Sequence, residues 1–373
     1  MTAFLPFARP EIDEDTIAAV AEVLRSGWIT SGPQVERFET ELSAYFDGRA
    51  VRAFAHATAA LEIAVRLAEV GAGDEVIVPA MTFVATANVV LLASGRPVLV
   101  DVDLDTRNTN AERIEAAVTP RTKAVMPVHF AGLPVDLEPV YALARRRGLR
   151  VIEDAAHAMG AAYRGRRIGA QGDLVAFSFH PNKNITTIEG GALSFANPAD
   201  VWRAERLRFH GIRKLAGGGL DVLEHAGKSN LADVSARIGI AQLARLERFN
   251  ARRWALVRRY REQLDGIECL RLPADGPGHA WHLFAPLIDF AAAGTTRPRF
   301  IDAMKSRGIG VGIHYPAVHL FQAYRRLGYR EGDFPNAERI GEHTVTLPLF
   351  TQMQDADVDR TCDALREALR EAK

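Results

Sequence analysis

Between residues 50 and 210, short apolar runs alternate with longer stretches of helical spacing, and this alternation constrains the fold more than any other feature. The runs at 51–55, 75–78, 97–101, 124–128, 151–153, 174–179 and 192–195 predict strands. Helical stretches at 59–70 and 137–147 end at Gly71 and Gly148, residues suited to a left-handed cap. Thr109-Asn110-Ala111-Glu112 has the spacing of a capping box. Strand, helix, strand, repeated, predicts an α/β fold with a mostly parallel sheet and helices on both faces. Past residue 233 the pattern changes. Residues 235–264 read as one long arginine-rich helix, 282–288 and 308–313 as strands, and 299–307 and 355–371 as helices. The 373 residues therefore predict a large domain over 1–250 and a smaller α+β domain over 251–373. The run Ala216-Gly-Gly-Gly-Leu220 predicts a flexible loop.

Charge and cysteine content narrow the function. Lys plus Arg and Asp plus Glu both number 46, so nothing favours nucleic acid or an anionic membrane as a main partner. The two cysteines, Cys269 and Cys362, lie too far apart in sequence to suggest a CxxC metal site, and two are too few for a disulfide framework, so no metal is expected. The N-terminus lacks a basic segment followed by an apolar one, and no apolar run is long enough to span a bilayer, which predicts a cytoplasmic protein.

In open parallel sheets ligands sit beyond the carboxyl ends of the strands, which draws attention to three segments. Ala55-His-Ala-Thr-Ala-Ala60 follows a strand and opens a helix. Its small residues and free amides suit an anion, and Thr58 is either a ligand contact or an N-cap. Asp154 ends a buried strand, where a carboxylate is costly without a cation or donors. It suits a protonated pyridine nitrogen, a helix cap or a metal. His157, three residues on, is a site residue or a core histidine. Lys183 follows the apolar strand in Leu174-Val-Ala-Phe-Ser-Phe-His-Pro-Asn-Lys-Asn184. Such a lysine is either solvated surface or, if enclosed, a nucleophilic amine of lowered pKa.

Together these segments resemble the sugar aminotransferases of the DegT/DnrJ/EryC1/StrS family. The resemblance also rests on Ser26-Gly-Trp-Ile-Thr-Ser-Gly-Pro33, Thr82-Phe-Val-Ala-Thr86, Ile152-Glu-Asp-Ala-Ala-His157, Glu189-Gly-Gly191, Ala280-Trp-His-Leu-Phe284 and Gly312-Ile-His-Tyr-Pro316, in order over nearly the whole chain. It implies the aspartate-aminotransferase-like fold (fold type I), pyridoxal 5'-phosphate (PLP) as cofactor, and transfer of an amino group from L-glutamate, leaving 2-oxoglutarate. The acceptor it implies is a keto-sugar carried on a nucleotide. By the same resemblance, Lys183 joins the cofactor covalently and Asp154 pairs with the ring nitrogen. Phe83 stacks on the ring, His157 lies beside the ring oxygen, and Thr58, Ala59 and Ser178 contact the phosphate. Asn230 would reach the phosphate of a neighbouring subunit, implying a homodimer with shared active sites, although the aromatic residues that usually flank it are absent. Trp28, Thr30 and Ser31 of the N-terminal loop, with His314 and His319, would line the sugar site. The branch most resembled makes UDP-4-amino-4-deoxy-L-arabinose for lipopolysaccharide (lipid A) modification. Tyr315-Pro316 and a shorter segment after His210 depart from that branch, leaving 4-keto-hexose and 3-keto-sugar acceptors open. The rival readings are an amino-acid-only PLP enzyme, for which Arg297 and Arg299 are candidate carboxylate forks, and a non-enzymatic regulator.

Overall fold

The structure, a computed structural model, describes residues 3–370. Its centre is a seven-stranded sheet of β1 (Val51–Phe54), β2 (Glu75–Pro79), β3 (Arg96–Val100), β4 (Thr122–Val125), β5 (Arg150–Asp154), β6 (Leu174–Ser178) and β7 (Gly191–Phe195). The spatial order is β1-β7-β6-β5-β4-β2-β3. The neighbours from β6 to β3 pair in parallel, whereas β7 is antiparallel to both β1 and β6. A parallel neighbour needs a long crossover, usually a helix; β6 and β7 are joined only by residues 179–190, so the chain turns back on itself. That return loop carries Lys183.

The helices α1 (Glu14–Ser26), α2 (Pro33–Tyr45), α3 (Ala57–Leu67), α4 (Ala85–Leu92), α5 (Ala111–Ala117), α6 (Leu137–Arg147), α7 (Pro198–Leu207), α8 (Asp233–Leu243) and α9 (Leu246–Leu264) surround the sheet. Alternate strand residues divide between its faces, as the pleat requires. Val76, Val78, Ile152 and Leu174 pack with Leu61 and Val65 of α3 and Val90 of α4. Ile77, Val151 and Val175 pack on the other face with Phe38 and Leu42 of α2 and Val140 and Leu143 of α6. A third core joins Leu256, Val257 and Tyr260 of α9 to Phe284, Phe300, Leu347 and Leu365, and also takes in Leu5. Residue 250 falls inside α9, whose Phe249 belongs to the second core and whose Leu256 belongs to the third.

Several expected elements differ in detail. The single helix predicted over 235–264 is broken at Ala244-Arg245. Arg245, at the edge of the right-handed helical region (φ −107°, ψ 0°), bonds through its guanidinium to Asp13 and to Thr16 Oγ1 (3.0 Å) at the start of α1. The break thus gains a tertiary anchor. The capping residue of α5 is Asn110, which accepts from Arg113 N at 3.0 Å; Thr109 instead donates to the Asp101 carbonyl at 3.1 Å. The stretch 216–220 is the turn of a hairpin pairing Ile212–Lys214 with Leu220–Val222, and Gly217 and Gly218 supply its positive φ angles. Within 282–288 only Leu287–Ile288 forms a strand, beside Leu270–Arg271. The stretch 308–313 makes single bridges to two different partners, Leu5 and Thr346, so no ladder propagates. The predicted helix 299–307 spans Arg297–Ser306, and the last helix spans Asp355–Arg370, residue 371 lying outside the described residues. No described helix is long and apolar enough to cross a membrane.

One contact ties the N-terminal region to the middle of the chain. Gly32, which precedes α2, has no side chain to cap it. The buried carboxylate of Asp233, at the start of α8, supplies the cap by accepting from Gly32 N (2.8 Å), Val35 N (3.0 Å) and Gln34 N (3.1 Å).

Candidate active site

The parallel strands β5 and β6 end side by side at Asp154 and Ser178, and the loop after β6 brings Lys183 over them. The first turn of α3 and the start of α4 close the space. The resulting cavity, about 300 Å³, is lined by Thr58, Phe83, Asp154, His157, Ser178, Lys183, His314 and Tyr315 among others. Seven of the residues singled out in the sequence thus converge on one cavity from segments far apart in the chain.

Asp154 is buried, and its oxygens accept from Thr86 Oγ1 (2.8 Å) and Ala156 N (3.1 Å). Burial nevertheless raises its pKa, against those hydrogen bonds and the charge of Lys183. Lys183 opens onto the cavity, but its amine is enclosed, and burial lowers its pKa from 10.5 to about 8, Asp154 opposing. His157 Nδ1 accepts from Ala131 N at 3.2 Å, so its proton sits on Nε2 and is donated to the Tyr315 hydroxyl at 3.2 Å. Burial, helped by the charge of Lys183, holds His157 well below its ordinary pKa and His314 at about 4. His314 Nδ1 lies 2.7 Å from Thr346 Oγ1. The Phe83 ring is half exposed on the cavity wall, 5.6 Å from the Tyr315 ring.

At the start of α3 the N-cap is His56, not Thr58. Its Nδ1 accepts from Ala59 N at 3.0 Å, so the Ala59 amide is committed within the helix and is not free for a phosphate, contrary to expectation. The first-turn amides of Ala57 and Thr58 have no carbonyl of their own helix to meet them. Gly191 lets β7 approach here, since a Cβ would stand 2.6 Å from Ala57 N. In the loop between Lys183 and β7, Ile188 adopts φ +73°, rare for a β-branched residue.

Besides Ala59, five expected contacts are not on this wall. His319 is fully buried, bonded through Nε2 to Glu338 Oε1 (2.8 Å) and edge-on to Phe334, and so cannot reach a substrate there. Trp28 lines a separate groove with Val23, Asp233 and Arg237, and its Nε1 donates to the Ser31 carbonyl at 3.2 Å. The Thr30 carbonyl accepts from Asp233 N at 3.2 Å. Ser31 Oγ donates to the Leu231 carbonyl at 2.6 Å and accepts from Asn230 Nδ2. Asn230 Oδ1 is buried without a protein partner. Sequence reasoning assigned no role to Thr86, His282 or Tyr315. Thr82, just before α4, and Thr86, in its first turn, have hydroxyls 2.7 Å from each other, a pair that was visible in the motif; His282 lies in the Ala280–Phe284 run, but nothing there gave it a role.

The family model described as the DegT/DnrJ/EryC1/StrS aminotransferase family matches residues 10–366. The chain belongs to this family. Solved structures agree with that membership. The PLP form of Spr1654 from Streptococcus pneumoniae, described as a sugar aminotransferase, is 32% identical with TM-score 0.93, covering 99% of this chain and 100% of its own. DesV from S. venezuelae is 35% identical with TM-score 0.91, covering 99% of each chain. The aminotransferase TlmJ from Streptoalloteichus hindustanus is 33% identical with TM-score 0.91, covering 98% of this chain and 99% of its own. The fold is therefore the fold type I expected, the protein is a family aminotransferase, and its cofactor is PLP. The cavity suits that group: it offers an enclosed amine, a buried carboxylate suited to a cation, an aromatic face and a helix start open to an anion. Among the described residues no arginine lines it. Arg297 is spent on the carbonyls of Gly341 and Glu342 (3.0 Å to the latter).

Proposed function

We propose that this aminotransferase moves an amino group from L-glutamate to the keto-sugar of a nucleotide-sugar, at C4 of a pentose or hexose. The observation that carries the reading is the enclosed Lys183 amine sharing one cavity with the buried Asp154 carboxylate. The description of Spr1654 as a sugar aminotransferase supports a sugar acceptor. The motifs shared with the UDP-4-amino-4-deoxy-L-arabinose branch support C4. A 3-keto-sugar is the second reading, left open by Tyr315-Pro316, which departs from that branch and whose Tyr315 lies on the cavity wall.

Bound PLP supplies an electron sink for the carbanion left when the α-proton departs. The residues do the rest. Lys183, with a pKa near 8, has an uncharged fraction at neutral pH and would, as general base and then acid, move the proton from the substrate α-carbon to the cofactor's C4′ carbon. Asp154, fixed by Thr86 and Ala156, would keep the ring nitrogen protonated. Phe83, His157 and Tyr315 would hold the ring, Thr58, Ser178 and the open amides of α3 would hold the phosphate, and His314 would serve the sugar.

Asn230 and Ser31, bonded to one another and absent from the cavity wall, complete the partner's site in a homodimer; the unpaired Asn230 Oδ1 supports this. Residues 1–250 and 251–373 form the two domains, a division supported by the change of core along α9. The protein acts in the cytoplasm, in amino-sugar synthesis. The test is a glutamate half-reaction read by cofactor absorbance, followed by a screen of UDP- and dTDP-linked 3- and 4-keto-sugars. Turnover of 2-oxo acids alone, with no keto-sugar accepted, would sink the proposal.

A further inference from the structure

His282 lies behind the cavity wall, against the Lys183 amine, and has no part in the assignments above. Its Nε2 lies 3.5 Å from Lys183 Nζ, the one side-chain hydrogen bond of that amine among the described residues. The ring is buried and its Nδ1 has no partner. The His157 ring packs 4.5 Å from it at 48°.

The backbone at this point is gripped from several directions. His282 N donates to the Ala131 carbonyl at 2.9 Å. Trp281 adopts φ +45° and stacks on His279 at 3.7 Å. The buried Arg253 of α9 donates to the carbonyls of Trp281 (3.4 Å), His282 (3.2 Å) and Leu349 (3.0 Å). A buried arginine spent on three carbonyls holds this stretch of main chain in place, so the imidazole is aimed before any ligand arrives.

The unpaired Nδ1 decides what the imidazole does. Were Lys183 an ammonium, Nε2 would have to accept and the proton would move to Nδ1, leaving a buried N–H without an acceptor. With Lys183 as an amine, Nε2–H donates to Nζ and Nδ1 remains an unpaired acceptor. Buried orphan donors are the less tolerated of the two. Resting on the reading of Lys183 as the cofactor lysine, we propose that His282 is a positioning residue that holds the free Lys183 amine, uncharged, at the cavity wall while it is released from the cofactor. The other groups facing that amine are Asp154, which favours the charged form, and His157, His314 and Tyr315; burial keeps His157, His282 and His314 neutral at neutral pH.

The test compares wild type, His282→Phe and His282→Gln. The first readout is the pH dependence of covalent PLP capture by the apoprotein, followed by absorbance. Losing one hydrogen bond to the amine should move the midpoint upward by roughly half to one pH unit in His282→Phe. In the glutamate half-reaction the same variant should be about tenfold slower with a larger α-deuterium isotope effect, glutamate affinity being unchanged. His282→Gln, which keeps a donor, should recover most of both. An unchanged midpoint and isotope effect in His282→Phe would overturn the proposal. So would equal loss of PLP affinity in both variants, which would mark a purely structural role. If wild type itself captures no PLP at Lys183, the functional reading falls and this inference with it; capture by wild type with indifferent variants removes only the inference.

Discussion

At the scale of single residues, the chemistry of Lys183 carries a stability cost. The folded protein holds it at about 8 against an ordinary 10.5, so between those values the unfolded chain binds a proton that the folded apoprotein does not. The apoprotein should therefore gain stability as pH rises from 8 to 10.5 and stay flat below 8 in this contribution. Lys183→Met should remove that slope and stabilise the apoprotein at pH 7 by at most about 3 kcal/mol, less after screening by cavity water. The same variant should lose transamination by at least about 10³-fold. Denaturant melts of apoprotein against pH, with half-reaction rates, check both. Ile188 offers a second case. A β-branched side chain at φ +73° is strained, so Ile188→Gly should gain about 0.5–1 kcal/mol net of the added freedom of the unfolded chain, read as a higher denaturant midpoint. Asp154 and Lys183 were legible because each ends or follows an apolar strand in a recognisable run. His282 was not, because its partner lies 99 positions away and its role depends on an orphaned nitrogen that sequence cannot show.

At the scale of elements, strand positions were legible because buried parallel strands read as continuous apolar runs. Their direction was less so: β7 looks like its neighbours in sequence, and only the length of the loop before it hints at reversal. Capping was legible in part where local and hidden where remote: Gly71, expected to end the helix at 59–70, lies beyond α3, which stops at Leu67 with Ala68 as its cap. Gly148 ends α6 in a left-handed conformation as expected. At α5, Asn110 took the cap because Thr109 found a carbonyl elsewhere. The cap of α2 is supplied by Asp233, and no pattern near Gly32 reveals it. Asp233→Ala should cost about 2–4 kcal/mol, since three amides lose one ionised acceptor. Thermal melts check the loss, and hydrogen exchange should rise first at residues 32–35.

At the scale of the whole molecule, the proposed sharing of sites makes a sharp prediction about mixed subunits. Lys183→Ala and Asn230→Ala should each be impaired alone. Coexpressed one to one, random pairing should restore about a quarter of wild-type sites, because half the dimers then carry one intact site. Activity of the mixture no higher than the mean of the two parents would end the shared-site reading. The reach from Asp233 back to Gly32 also bears on synthesis. As the polypeptide leaves the ribosome, α2 emerges about 200 residues before the carboxylate that finishes its leading end. At common translation speeds that interval is roughly 10–40 s. Through it, an amphipathic segment bearing Phe38 and Leu42 waits with its docking surface on α8 not yet made, so newborn chains should depend on chaperones chiefly at their first 45 residues.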